Sequence, residues 1–289
     1  MPELPEVETV RRGLSELIIG KKIASVISDT PKSFPNSESD VKQFLVDARV
    51  TLIRRRAKVL MVDLSTNYSL VIHLKMTGQL VFVSEGERFG AGHPNDSLVN
   101  ALPDKSTRVT ITFKDDSRLF FNDQRKFGWV KLIPTVEIPN LPFMQKVGPE
   151  PLADDFTPEQ FAARFVRRGR TNIKAALLDQ SVVAGVGNIY ADESLWGAKI
   201  HPKRLTATIT PAEFKELYTD LRSVMNLSIE KGGSSNRNYV NAEGKRGSYM
   251  DFARVFRREG LPCPRCGTTI EKLRVAGRGT HICPYCQTL

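Results

Sequence analysis

The densest chemical signal in the chain is a set of four cysteines, all after residue 262. Cys263-x2-Cys266 and Cys283-x2-Cys286 are separated by 16 residues, the spacing of a four-cysteine zinc ribbon. Each pair supplies two thiolates from one turn, and two hairpins then complete a tetrahedron. No fifth protein ligand is evident, so the site is closed and is expected to hold one structural Zn2+. A redox dithiol would not need two matched pairs. A second feature is Gly185-Val186-Gly187-Asn188, between helical stretches at 172–179 and 189–196. Glycines let a backbone approach a ligand closely, and a helix N-terminus offers free N–H groups to an anion. Asn188 suits an N-cap or a side-chain donor to phosphate. A plain glycine turn is the simpler reading of the same residues. The third feature is the start of the chain. Loss of Met1 would make Pro2 a terminal secondary amine, and α-amino groups titrate near 8, well below lysine. The positive end of a helix beginning near Pro5 would lower that value further. Such an amine condenses with an aldehyde-level carbon to an iminium, and Glu3 beside it could shuttle protons. By residue type alone, a helix lead-in is the stronger reading of Pro-Glu at a terminus.

These groups need elements to hold them. Pro5 suits a first helical position, Glu6 and Glu8 sit in the first turn, and Val7, Val10, Leu14, Leu17 and Ile18 repeat at helical spacing, which predicts a helix over 5–18. From Lys22 to Ile133 short β-rich runs follow, among them 23–27, 59–64, 70–74, 108–113 and 119–122. The series predicts an antiparallel β-sandwich with one helix attached. The stretch 85–106, rich in Gly, Asn, Asp and Ser, reads as a long mobile loop. Pro134, Pro139, Pro142, Pro149, Pro151 and Pro158 then mark a stiff linker. Beyond it Thr157-Pro158-Glu159-Gln160 and Thr210-Pro211-Ala212-Glu213 are both capping boxes with proline at the first helical position. The second opens a helix of about six turns ending at Gly232–Gly233. Arg274 and Arg278 fall between the cysteine pairs, on a loop able to present them to phosphate.

Charge divides along the same line. Residues 1–159 carry 21 Lys+Arg and 21 Asp+Glu; residues 160–289 carry 21 and 11, and so hold the whole net charge of +10. Concentration of positive charge beside a zinc motif points to a polyanion partner, nucleic acid first. At 40% hydrophobic and 26% charged residues the chain has an ordinary globular composition. No apolar run is long enough to span a bilayer, and MPELPEVETVRR lacks a secretory h-region, so a cytoplasmic, nucleoid-associated location is expected.

Read together, the motifs resemble the bacterial formamidopyrimidine-DNA glycosylase family over nearly the whole length. They are PELPEVET at the start, RRAK at 55–58, HLKMTGQL at 73–80, RKFG at 125–128, GPEPL at 148–152, VVAGVGNIYADE at 182–193, IHP at 200–202 and the terminal cysteines. Each is weak alone; their order and joint presence are specific. The resemblance implies an α+β architecture. An N-terminal helix and β-sandwich catalytic domain would occupy 1–133 and a proline-rich linker 134–157. A helix–two-turn–helix DNA-binding domain would fill 158–255, with a lesion-capping loop at 234–250, and a zinc-ribbon hairpin would fill 256–289.

It implies a base-excision enzyme for oxidised purines in double-stranded DNA, acting as a monomer with no membrane partner, and with lyase activity at the abasic site. Pro2 would attack C1′, Glu3 would act as acid and base, Lys58 would join them as a catalytic residue, and Lys58, Asn188 and Arg278 would grip phosphates. Met76, Arg125 and Phe127 would enter the space left by an extruded base. Gln124 departs from the proline that relatives often carry there. The related endonuclease VIII group opens PEGPE and takes oxidised pyrimidines; the PELPE start favours purines. A non-catalytic damage binder on the same scaffold would lack the Pro2-Glu3 pair.

Overall fold

The computed structural model describes residues 1–234 and 248–289. The chain divides into two units, Met1–Gln145 with Lys231–Ser248, and Lys146–Glu230 with Tyr249–Leu289.

The first unit opens on α1 (Leu4–Ile18). The helix begins one residue earlier than proline placement predicts, because Glu3 takes the N-cap in extended conformation and the Glu6 carboxylate accepts its N–H at 2.8 Å. Two antiparallel sheets follow. One is ordered β1-β7-β8-β5-β6, comprising β1 (Ile23–Ile27), β5 (Gly78–Ser84), β6 (Glu87–Gly92), β7 (Thr107–Phe113) and β8 (Arg118–Asp123). The other is β2-β3-β4-β9, comprising β2 (Val50–Arg56), β3 (Val59–Leu64), β4 (Tyr68–His73) and β9 (Trp129–Pro134). The three-residue α2 (Glu38–Asp40) lies between β1 and β2. The core joins Ile53, Leu60, Val62, Leu70 and Ile72 of the second sheet to Leu80, Phe82, Ile111, Phe113 and Phe121 of the first. Val7, Val10, Leu14 and Ile18 of α1 belong to the same core. Each such side chain, fully withdrawn from water, contributes about 1.5–3 kcal/mol.

The stretch 85–106 is not a continuous loop. It contains β6 and a single 3-10 turn, Asp96–Leu98. Several of its polar groups pair locally: the Arg88 guanidinium donates to the carbonyls of Leu98 (2.9 Å), Ser97 (3.1 Å) and Asn100 (2.7 Å). Asp104 collects Ser97, Ser106 and the N–H of Ser106. The segment also packs on α1, where a Cβ on Gly13 would stand 2.2 Å from the Phe89 ring. Composition signals a loop here because it does not reveal which polar groups find each other. The proline-rich stretch likewise folds locally, into a 3-10 helix at Thr135–Asn140 and α3 (Pro142–Lys146).

The second unit holds α4 (Pro158–Ala163), α5 (Ile173–Leu178), α6 (Asn188–Gly197) and α7 (Pro211–Glu230). Both expected capping boxes form. Thr157 Oγ1 accepts the N–H of Gln160 at 3.2 Å, and Thr210 Oγ1 that of Glu213 at 3.2 Å. The α7 helix stops before Gly232 and Gly233, both at positive φ (76° and 89°), a backbone state in which glycine carries no steric penalty. A hairpin of β10 (Glu271–Val275) and β11 (Arg278–Ile282) completes the unit. Of the segment 234–250, residues 235–247 lie outside the described residues.

Candidate functional site

At the chain start Pro2 and Glu3 are both buried, Glu3 to 3% exposure, while Met1 ahead of them is 44% exposed. They sit at the N-terminal end of a 15-residue helix, where the aligned peptide dipoles disfavour a positive charge. Glu6, 2% exposed, holds this end in place. One of its oxygens takes the Glu3 N–H, and the other takes the Ser234 N–H and hydroxyl, each at 2.8 Å.

Lys58, 6% exposed, sits in the two-residue connection between β2 and β3. Ala57 before it adopts φ +52°, uncommon for a residue with a side chain. The turn is held by Arg55, whose guanidinium donates to the Ala57 carbonyl (2.9 Å) and to Glu8 of α1 (3.1 Å). Burial pushes Glu8 up, but hydrogen bonds from Arg11, Arg12 and Arg55 outweigh it, and its pKa falls from 4.5 to about 2. The neighbouring His73 is held neutral. Burial first, then the charges of Lys75 and Lys58, push its pKa from 6.5 down to about 3. Its Nδ1 accepts the Lys75 N–H at 3.0 Å. Two lysine charges, those of Lys75 and Lys58, thus act on one neutral imidazole.

Met76 lies half-buried in the β4–β5 connection, and Arg125 and Phe127 project, exposed, from the β8–β9 connection. The Phe127 ring is 45% exposed and carries the Arg125 guanidinium 4.8 Å above its centroid. A large aromatic held outward in this way costs hydration free energy, which insertion into an apolar slot recovers. Sequence patterning gave no sign of the residue that holds both connections. Asp123, fully buried at the end of β8, accepts hydrogen bonds from Thr77, Arg125, Phe127 and Gly128.

In the second unit the N-cap of α6 is Gly187, not Asn188. Asn188 is the first helical residue, and its side chain donates to the Gly279 carbonyl at 2.9 Å. The shift has a local cause. Gln180 spans the glycine turn, accepting the Gly185 N–H (3.0 Å) and donating to the Val186 carbonyl (2.8 Å), so no side-chain cap is needed to fix it. Gly185 itself sits at φ +79°. Arg278 is exposed and begins β11, beyond a two-residue turn in which Ala276 (φ 50°) and Gly277 (φ 73°) are both left-handed. Arg274 lies on β10, so both arginines stand on strands of the hairpin and not on a free loop.

The hairpin is docked to the helices by buried charge. Lys174 Nζ reaches Asp192 Oδ1 at 2.6 Å and Thr280 Oγ1 at 2.7 Å, and Asp192 Oδ2 accepts the His281 N–H at 3.0 Å. Lys174 and Asp192 are completely buried. A lysine in a helical pattern reads from sequence as a solvated face, so this pair is invisible until the hairpin is placed against α5 and α6.

Cys263, Cys266, Cys283 and Cys286 bring their four sulfurs within 4.8 Å of one another, none in a disulfide. The Trp196 indole N–H donates to Cys263 Sγ at 3.4 Å and the Cys286 N–H to Cys283 Sγ at 3.4 Å. Thiol sulfurs gathered among N–H donors fit a soft divalent cation held as thiolate. One hairpin, β10–β11, joins the two pairs where sequence spacing suggested two.

Comparison with known proteins covers all these parts. Residues 1–130 match the family model described as formamidopyrimidine-DNA glycosylase N-terminal domain, 147–239 its H2TH domain, and 260–289 a zinc finger found in FPG and IleRS. The formamidopyrimidine-DNA glycosylase of Pelotomaculum thermopropionicum is 40% identical, with 99% of each chain covered. That of Chloroflexus aurantiacus is 43% identical, with 99% of this chain and 98% of the relative covered. Among solved structures, Lactococcus lactis Fpg in complex with DNA containing an abasic site superposes with TM-score 0.86 at 36% identity, covering 99% of this chain and 100% of the other. MutM in complex with DNA containing carbocyclic 8-oxo-G superposes with TM-score 0.85 at 34% identity, covering all of both chains. The four cysteines thus belong to a zinc finger with a single structural zinc.

Proposed function

Because the chain belongs to the formamidopyrimidine-DNA glycosylase family, we propose that it excises oxidised purines from duplex DNA and then cuts the strand, with Pro2 as nucleophile. The observation that carries the reading is the Pro2-Glu3 pair, buried at the N-terminus of α1 behind an accessible Met1. Removal of Met1 frees the imino nitrogen. Its lone pair bonds to C1′ as the glycosidic C–N bond breaks and the base departs with the electron pair. Glu3 protonates O4′, the C1′–O4′ bond opens, and the nitrogen gives up its proton to become a cationic iminium. That cation accepts electrons as a proton leaves C2′ and the 3′ phosphate is expelled. A second elimination expels the 5′ phosphate, leaving a one-nucleotide gap.

Other residues act before the chemistry. Lys58, Asn188 and Arg278 hold phosphates flanking the lesion, and Met76, Arg125 and Phe127 fill the space of the extruded base. Extrusion costs a few kcal/mol, offset by those contacts. The domain at 1–133 supplies the nucleophile, and 158–255 with 256–289 carries nearly all of the net positive charge. The zinc finger has a structural role; no reaction step passes through the metal. Among the described residues no helix is long and apolar enough to cross a membrane. The protein works as a monomer on nucleoid DNA in the cytoplasm.

Borohydride reduction during reaction with an 8-oxoguanine duplex tests the reading. A covalent protein–DNA adduct at Pro2, with 8-oxoguanine released faster than thymine glycol, is expected. No adduct from protein lacking Met1 refutes Pro2 as nucleophile, and faster thymine glycol release refutes the purine assignment.

A further inference from the structure

We infer that Asp123 is the positioning residue that makes Met76, Arg125 and Phe127 enter DNA as one rigid piece, an inference that rests on the function proposed above. Asp123 is the last residue of β8, paired with Gly78 at the start of β5, and is fully buried. Both carboxylate oxygens are used. Oδ1 accepts the Thr77 hydroxyl and the Arg125 N–H (3.2 Å); Oδ2 accepts the N–H groups of Phe127 (2.8 Å) and Gly128 (2.7 Å). Thr77 Oγ1 in turn accepts the Arg125 N–H at 3.1 Å, so the neighbour of Met76 and the backbone of Arg125 share one polar centre.

The donors are the backbone N–H groups of Arg125 and Phe127, whose side chains project into solvent, that of Gly128 beside them, and the hydroxyl of Thr77, the neighbour of Met76. Lys126 between them is left-handed (φ 57°). A turn with that conformation and no regular ladder depends on the acceptor beneath it. Its close approach is visible at Gly128, where a Cβ would stand 2.6 Å from the Phe121 ring and 3.1 Å from Asp123 Oδ2. Arg108, 9% exposed, donates to the Asp123 carbonyl at 2.8 Å and brings a cation to the buried site. An acceptor-only group is required. Asparagine has the same shape but turns an NH2 toward N–H groups that need an acceptor.

A wedge that is misplaced fails to replace an extruded base in the stack, yet does not alter the amine at the chain start. Asp123→Asn is therefore expected to slow 8-oxoguanine excision from duplex by at least about tenfold. Cleavage at an abasic site in single-stranded DNA, where nothing needs to be displaced, should change by less than about twofold. A 2-aminopurine placed beside the lesion should lose most of its binding-induced fluorescence change in the variant. Thr77→Val, which removes only the hydroxyl link, should give the same split in weaker form and serves if Asp123→Asn does not fold. Equal loss on both substrates, or no loss on either, overturns the inference. Wild-type protein that neither excises the lesion nor forms the reduced adduct overturns instead the function on which it rests.

Discussion

At the scale of single residues, carboxylates in this protein do three different jobs, and environment separates them. Glu3, buried beside Pro2, is the proposed acid and base. Glu3→Gln is expected to reduce base release about 100-fold or more while leaving duplex affinity intact, since general acid–base groups contribute about that much. Single-turnover excision alongside a binding titration checks it, and unimpaired release would remove Glu3 from the mechanism. Glu8 is structural. With its pKa lowered from 4.5 to about 2, its contribution to stability is complete above about pH 4.5 and is lost as pH falls toward 2. Glu8→Gln should destabilise the protein by about 1–3 kcal/mol at neutral pH, and the gap from wild type should narrow below pH 4.5. Urea unfolding at pH 7 and pH 3 measures this; a gap independent of pH would mean that the Glu8 charge gains nothing from Arg11, Arg12 and Arg55. Asp123 does the third job, fixing backbone and leaving the chemistry to others.

Among elements, the β10–β11 hairpin depends on two supports of different kind. The cysteine cluster ties its ends, and Lys174 with Asp192 and Thr280 fastens β11 to α5 and α6. A short two-stranded hairpin without such support is at best marginal in water, and metal-binding free energy is folding free energy in such a motif. Zinc chelation should melt residues 260–289 and abolish duplex binding, while the β-sandwich keeps its thermal transition. Circular dichroism and a binding assay on a verified zinc-free sample would show this. Undiminished binding would exclude the hairpin from the DNA interface. Asn188, bonded to the Gly279 carbonyl, depends on the same docking.

For the molecule as a whole, the governing term is charge. The excess of +10 lies entirely within 160–289, so duplex affinity should fall steeply with salt as phosphate contacts release counterions. Arg278→Ala should weaken binding and reduce the slope of log affinity against log salt by about 0.9, the value for one phosphate contact. A titration series from low to moderate salt reads that slope. An unchanged slope would show that Arg278 touches no phosphate.

The cysteine spacing, the capping boxes at Thr157 and Thr210, the alternating strands and the segregated charge were legible in the chain because each is set by residue types and their spacing along the sequence. The joint order of the motifs identified the family for the same reason: it is carried by residue identity. Three-dimensional packing decided the rest. It turned the polar stretch after Ser84 into a strand locked by Arg88. It moved the α6 cap from Asn188 to Gly187, and it buried Lys174 and Asp123 among partners 18 to 106 and 2 to 46 positions away. A charged or polar side chain carries no local mark of the partner that will satisfy it. Only the folded chain, which must pair every such group it takes out of water, settles where each one goes.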